Sequence, residues 1–203
     1  MLGLPKSTEM KKQLPKTVIY AKFTMNAAAK EKFDADISRL TIVNEISKTT
    51  SAIAAGSNVS SFYVLLISLK RKEYSETTIA QISKLINQNM ILILEYEDTA
   101  KLAIYRTKLI TTDWKPTAEL SIKLKGLDLD AVWDNIVKEI EGGEWSDELS
   151  VEENLSTHEQ IEQIKKQISV LEKKARAEKQ PKKSFEYVSE INRLKLLIIN
   201  MEK

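Results

Sequence analysis

From Thr157 to Lys203 the chain carries one proline and no glycine, and its apolar residues recur with a helical period. Ile161, Ile164, Ile168, Leu171 and Ala175 follow one another in steps of 3, 4, 3 and 4, which places them on one stripe of a helix. A basic interruption at Lys179-Gln180-Pro181-Lys182-Lys183-Ser184 is followed by a second stripe, Val188, Ile191, Leu194, Ile198 and Met201. Two stripes joined by a short break containing proline predict an antiparallel helical hairpin over residues 157–203. So short a paired helix is marginal unless it folds back on itself or finds a companion. Ile161, Ile164, Ile168, Leu171, Val188, Ile191, Leu194 and Ile198 are therefore the expected interaction stripe.

The rest of the chain alternates helical and strand patterns. Residues 1–16, with Pro5 and Pro15, predict an irregular arm or a short helix, and Thr17–Thr24 fits either a strand or a helical turn. Asn26 is placed to cap a helix running to Ile37, with Ala29, Phe33 and Ile37 on one face. Arg39–Ser47 alternates as a strand, and the small, polar residues 48–58 predict a turn, with a short strand at Ala52-Ile53-Ala54. Ser61–Lys70 is apolar on both faces, as a strand covered on both sides requires.

Ser75 precedes a stripe of Ile79, Ile82, Leu85 and Ile86. Met90–Tyr96 and Lys101–Lys108, separated by Glu97-Asp98-Thr99, predict a hairpin, and Leu120–Leu124 predicts a further strand. Asp128 should cap a helix with Leu129, Val132, Trp133, Ile136 and Ile140 inward. This order predicts an α+β domain over residues 1–140, with a mixed, mostly antiparallel sheet and flanking helices. Glu139–Glu153 holds seven acidic residues and no basic ones, so 141–156 is expected to be an acidic linker. Capping-box patterns at Ser150-x-x-Glu153 and Thr157-x-x-Gln160 mark expected helix starts.

Composition narrows the chemistry. The chain has no cysteine and one histidine, His158, which excludes thiol nucleophiles and histidine-rich metal sites. No apolar run approaches the length that spans a bilayer, and the first residues lack a signal-peptide pattern, so a cytoplasmic protein without membrane contact is expected. A net charge of +2 means that any attraction to nucleic acid must be local. Between residues 165 and 183 lie eight basic residues, Lys165, Lys166, Lys173, Lys174, Arg176, Lys179, Lys182 and Lys183, against two acidic ones. That run can track a phosphate backbone, although it carries no interleaved aromatic residue for base stacking. A solvated outer face of the hairpin is the plainer reading.

No catalytic pattern is complete. The five glycines form no phosphate-binding loop, and no serine lies in a nucleophile elbow. A metal-dependent nuclease needs carboxylates at strand ends beside a lysine. The candidates are Glu45 with Lys48, and Glu95, Glu97 and Asp98 with Lys101, but neither set has acid-x-Lys spacing inside a buried strand. Convergence of Glu45 and Glu95 in space would be required to revive that reading. Among the tryptophans, Trp133 is expected in the core. Trp114 either closes the core or lines a groove. Trp145 is either a docking anchor or part of a disordered linker.

Several stretches together resemble the bacterial family called domain of unknown function 4391. They include Leu14-Pro15-Lys16, Tyr20-Ala21-Lys22-Phe23, Ile42-Val43-Asn44-Glu45-Ile46 and Thr112-Asp113-Trp114-Lys115-Pro116. The resemblance continues through Leu124-Lys125-Gly126-Leu127-Asp128-Leu129-Asp130-Ala131-Val132-Trp133 to Leu171-Glu172-Lys173-Lys174-Ala175-Arg176. It departs at Ile86-Asn87-Gln88-Asn89, where members tend to carry a proline. Members are often encoded beside helicases and DNA methyltransferases in restriction-like or phage-defence cassettes. The resemblance therefore implies an accessory role in DNA processing; with no catalytic pattern complete, the expectation is a non-enzymatic accessory subunit that binds a helicase or methyltransferase subunit, or associates with itself through the hairpin. A nucleic-acid-binding module using 165–183 is the alternative, and a cryptic metal nuclease the third. No catalytic residue, metal ligand or cofactor is implied.

Overall fold

A computed structural model describes residues 2–142, 151–178 and 180–201. The chain divides after Gly142 into two compact units, residues 1–142 and 143–203.

In the first unit a 3-10 turn, Lys6–Thr8, leads into β1 (Glu9–Gln13), then α1 (Lys16–Lys22) and α2 (Ala27–Asp36). Next come β2 (Ile37–Ser47), the one-turn α3 (Lys48–Ser51), β3 (Ser61–Leu69) and α4 (Glu76–Ser83). The hairpin β4 (Asn89–Tyr96) and β5 (Thr99–Tyr105) follows, then the short β6 (Leu109–Thr111) and β7 (Lys115–Pro116), and finally α5 (Leu129–Glu141). Among the described residues the strands form one seven-stranded sheet in the order β1-β2-β3-β4-β5-β6, with β7 beside β5. All pairings are antiparallel except β3 with β4, which α4 connects as a parallel crossover. The unit is thus the expected α+β fold with a mixed, mostly antiparallel sheet.

The sheet is covered on both sides, as the apolar runs of β3 and β4 require. On one side α1, α2 and α4 bring Ile19, Phe33, Ile79 and Ile82 onto Leu65, Ile67, Leu92 and Leu94. On the other, the alternate residues Phe62, Val64, Ile91 and Ile93 are buried. There α5 buries Leu129, Val132, Trp133, Ile136, Val137 and Ile140, and the rings of Phe62 and Trp133 lie 5.4 Å apart.

Caps explain where the helices begin. The Asn26 side chain accepts from Ala29 N, and the Asp128 side chain accepts from Ala131 N, so both predicted N-caps are in place. Ser75 also stands at an N-cap, but its side chain does not cap α4; its N–H donates to the Asp36 carboxylate instead.

Three local expectations are corrected, and one left open is decided. Residues 9–13 form an edge strand. Its side chains are mostly exposed, so its backbone pairing with β2 rather than any apolar pattern holds it in place. Thr17–Thr24, open between a strand and a helical turn, is helical over residues 17–22, in α1. Residues 120–124 are extended without joining the sheet. Leu120 and Ile122 are buried by their alternation, yet among the described residues the one backbone bond to another segment runs from Ile122 N to Leu2 O. Ala52-Ile53-Ala54 supplies only an isolated bridge, Ala54 with Asp128.

The second unit is the helical hairpin. Helix α6 (Val151–Ala177) begins at Val151, inside the stretch expected to be linker, and α7 (Pro181–Met201) starts on its proline. Thr157 therefore lies within α6, where its hydroxyl donates to Glu153 O instead of capping a start. Ser150 and Trp145 lie outside the described residues.

Candidate functional site

The hairpin seam is closed by the two helices themselves. Ile161, Ile168, Ile191, Leu194 and Ile198 are buried together, with Ile164, Leu171 and Met201 packed at the margin. Two polar contacts tie the helices as well: Ser184 Oγ donates to Ala175 O at 3.3 Å, and Lys195 Nζ lies 3.6 Å from Glu172 Oε1. The expected stripe thus spends most of its apolar surface within the chain.

Val188 is the exception, 44% exposed. At about 100° per residue it falls roughly 100° around α7 from the seam, and the half-buried Tyr187 takes the seam side of that turn.

The described basic residues of this run face outward. Lys165, Lys166, Lys173, Lys174, Arg176, Lys182 and Lys183 are exposed, and Lys179 lies outside the described residues. Lys165, Lys166, Lys173 and Arg176 share an arc of about 100° on α6. Lys174 and Arg176 in the last turn of α6 complement its macrodipole. Lys182 and Lys183 stand at the first turn of α7, which has no acidic residue, so their charge adds to the positive end of that dipole. The turn of the hairpin is therefore a concentrated, solvated cationic tip.

A second constellation lies in the first unit and was not legible as a cluster in the sequence. Lys101, on β5, places Nζ 5.1 Å from the centre of the Tyr74 ring and 5.2 Å from that of Trp114. Lys72 Nζ lies 5.3 Å from the Trp114 ring on its own account. Lys101 also donates to Thr111 Oγ1 at 3.4 Å. Burial lowers the pKa of its amine, an effect that the nearby Glu76 and Asp113 carboxylates only partly offset. Tyr74 is pushed up to about 12, by burial first and by Glu76 second.

Trp114, half-buried on the core, thus closes the core edge as well as holding cations against its face. With Lys101 already held by two rings and a hydroxyl, the cluster staples the β6–β7 connection and the β3–α4 loop to the sheet.

The carboxylates proposed for metal binding do not converge. Glu45 pairs with Tyr63 and Glu95 with Ser68, five residues apart along β3 and roughly 17 Å at strand rise. Glu95 accepts a hydrogen bond from Ser68 Oγ at 3.2 Å, on the sheet face opposite Lys101, and Glu97 bonds Tyr96 at the hairpin turn. Among the described residues no group of three or more histidine, cysteine, aspartate or glutamate side chains could hold a metal ion.

The ladder between β4 and β5 stops at Leu92–Ala103, and the strands part beyond it. A concavity of about 260 Å³ opens there, with Ser83, Gln88, Asn89, Tyr105, Arg106 and Trp133 among its walls. It contains no carboxylate or histidine, so it offers no acid–base pair.

The chain matches the family model described as a domain of unknown function, DUF4391, over residues 2–197. The protein belongs to that family. The match takes in both units of this DUF4391 protein, so the hairpin is part of the family's own pattern and not an appendage to it. No curated protein and no solved structure matches the chain. No described helix is long and apolar enough to cross a membrane.

Proposed function

We propose that this DUF4391 protein is a non-enzymatic interaction subunit in which the α+β unit carries the hairpin and the hairpin makes the contacts. The observation that carries this reading is the division of labour between the units. In the first, the buried Asp36, Asn44 and Thr8 serve internal contacts, Asp36 with Arg71 and Ser75, and Asn44 with Thr8. In the second, a closed seam leaves apolar and basic side chains together on the outside. The partner class is a helicase or DNA methyltransferase encoded beside it, the association implied for the family.

The test is co-purification of the full chain with such a neighbour, compared with an Ile191→Asp chain whose seam cannot close. Loss of the complex in the variant supports the reading. Retention of the complex with a melted hairpin refutes it.

A second reading, nucleic-acid contact through the tip, is favoured by the two lysines at the start of α7 opposite the basic end of α6. Affinity for duplex DNA should fall steeply between low and moderate salt and drop when Lys173, Lys174 and Arg176 are changed to Glu. Salt-independent binding, or none, removes this reading.

A further inference from the structure

Helix α7 has a second apolar face that α6 does not cover. Phe185, Val188, Asn192, Leu196 and Ile199 follow one another in steps of 3, 4, 4 and 3, within an arc of about 80°. The four apolar members are 72%, 44%, 62% and 50% exposed in the order Phe185, Val188, Leu196, Ile199. The row is also symmetric: apolar residues stand four and seven positions to either side of Asn192.

A two-fold axis through Asn192, across the helix, maps this row onto itself. We infer that a second copy of this chain covers the face, with its α7 running antiparallel and Asn192 on the axis. Phe185 then packs on Ile199 of the partner subunit, and Val188 on Leu196 of the partner subunit. The residue at the axis is an amide, which both donates and accepts and so can bond its own symmetry mate. A buried asparagine in such a seam fixes register at some cost in stability.

Charge selects the antiparallel sense. A parallel pair would bring Lys182, at the flank of the row, near its own copy and align two like dipoles. The antiparallel pair sets it against the negative C-terminal end of the opposite helix. At the flank of the face, the amine of Lys195 is already directed to Glu172 of its own chain. The row spans about 21 Å. A pair of helices in contact over that length lies near the lower limit of a specific interface, about 1,000 Å², so the dimer is weak and concentration-dependent. The inference rests on the hairpin being the contacting element, but it concerns a face of α7 other than the seam.

The absence of cysteine from the chain makes single-cysteine crosslinking unambiguous. Full-length Asn192→Cys and Phe185→Cys chains are purified alone, exposed to a mild thiol oxidant, and resolved on non-reducing gels. Asn192→Cys should become mostly covalent dimer, while Phe185→Cys, about 21 Å from its own copy, should stay monomeric. Adding Leu196→Glu or Val188→Glu to Asn192→Cys should cut crosslinking at least about tenfold, with helical circular dichroism unchanged because both sites are exposed. Equal crosslinking at 185 and 192, no crosslinking at 192, or crosslinking indifferent to the glutamates would each overturn the inference. Because no other protein is present, such a failure leaves the question of partner binding separate.

Discussion

Val59 donates its backbone N–H to Asp130 Oδ1 at 2.7 Å, tying the loop before β3 to the first turn of α5. The same carboxylate accepts from Ser57 N at 2.8 Å and from Asn58 N at 3.1 Å. Burial alone would raise the carboxyl pKa, but the bonds from Val59, Asn58 and Ser57 outweigh it and hold Asp130 below the usual carboxylate range. A carboxyl depressed in the folded state contributes stability above its unfolded pKa and loses it as pH falls through the folded value. The Asp130→Asn chain, with one acceptor oxygen for three donors, should unfold at lower urea than the parent at pH 7. The gap should narrow as pH falls below about 4. A constant gap from pH 7 to pH 2 would count against this account.

Gly56 has no room for a side chain beside that carboxylate. A Cβ there would stand 2.2 Å from Asp130 Oδ1 and 2.7 Å from Asp130 N, and the backbone atom cannot swing aside. Gly56→Ala should therefore cost about 1–3 kcal/mol, as overpacking does. Gly142→Ala is no fair control, because its φ of 68° strains any side chain. Urea midpoints of the parent and Gly56→Ala chains decide the matter, and an unchanged midpoint contradicts the clash.

Asp36 and Arg71 are unequal partners. The Asp36 side chain is fully buried, whereas Arg71 is 56% exposed and reaches in from the β3–α4 loop. Arg71→Ala leaves the carboxylate with only the Ser75 N–H bond, so the loss should be on the order of 3 kcal/mol. Asp36→Asn keeps an acceptor for Ser75 and lets the guanidinium return to water, so its cost should be smaller. Chemical denaturation of both chains tests the order, and the reverse order would refute it.

What could be seen in advance follows from how local each signal is. Asn26 and Asp128 cap through bonds to residues three positions on, and the runs in β3 and β4 declare their own burial, so these elements were legible. Edge strand β1 was not, because Glu9-Met10-Lys11-Lys12-Gln13 has no apolar alternation and exists through backbone pairing with β2. The seam was legible from its period, but Val188 was assigned to it wrongly. A step of three from Ile191 suits either flank of a stripe, and only the closed hairpin distinguishes them. The cation–ring cluster was hidden because Tyr74, Lys101 and Trp114 belong to three separate segments that the sheet brings to one end.

The tyrosines offer an alkaline test. Tyr20 is pushed up to about 12 by burial, by its 2.6 Å hydrogen bond to Asp34 and by that residue's charge, and Tyr74 reaches about 12 through burial and Glu76. A raised folded pKa contributes stability below the unfolded value near 10 that is lost as pH rises through about 12. Phenolate absorbance of the native chain should therefore lag that of the urea-unfolded chain above pH 10. Asp34→Asn should bring the Tyr20 portion forward while leaving Tyr74 in place. Superimposable native and unfolded curves would contradict both assignments.

The two faces of α7 should respond in opposite ways to shortening a leucine. Leu194 is 5% exposed in the seam, and Leu194→Ala opens a cavity between α6 and α7 worth about 2–5 kcal/mol. That loss exceeds what a two-helix unit can spare, so circular dichroism at low protein concentration should show the helices of residues 151–201 melting before the sheet. Leu196 is 62% exposed, and Leu196→Ala should change the melting of the dilute monomer by no more than about 0.5 kcal/mol. At high concentration the pattern divides further. Pairing of α7 through its outer row stabilises the assembled chain by mass action, so the parent's helical melting point should rise with concentration and that of Leu196→Ala should not. Equal sensitivity of the two leucines at low concentration would place Leu196 in the seam and contradict the closed hairpin itself.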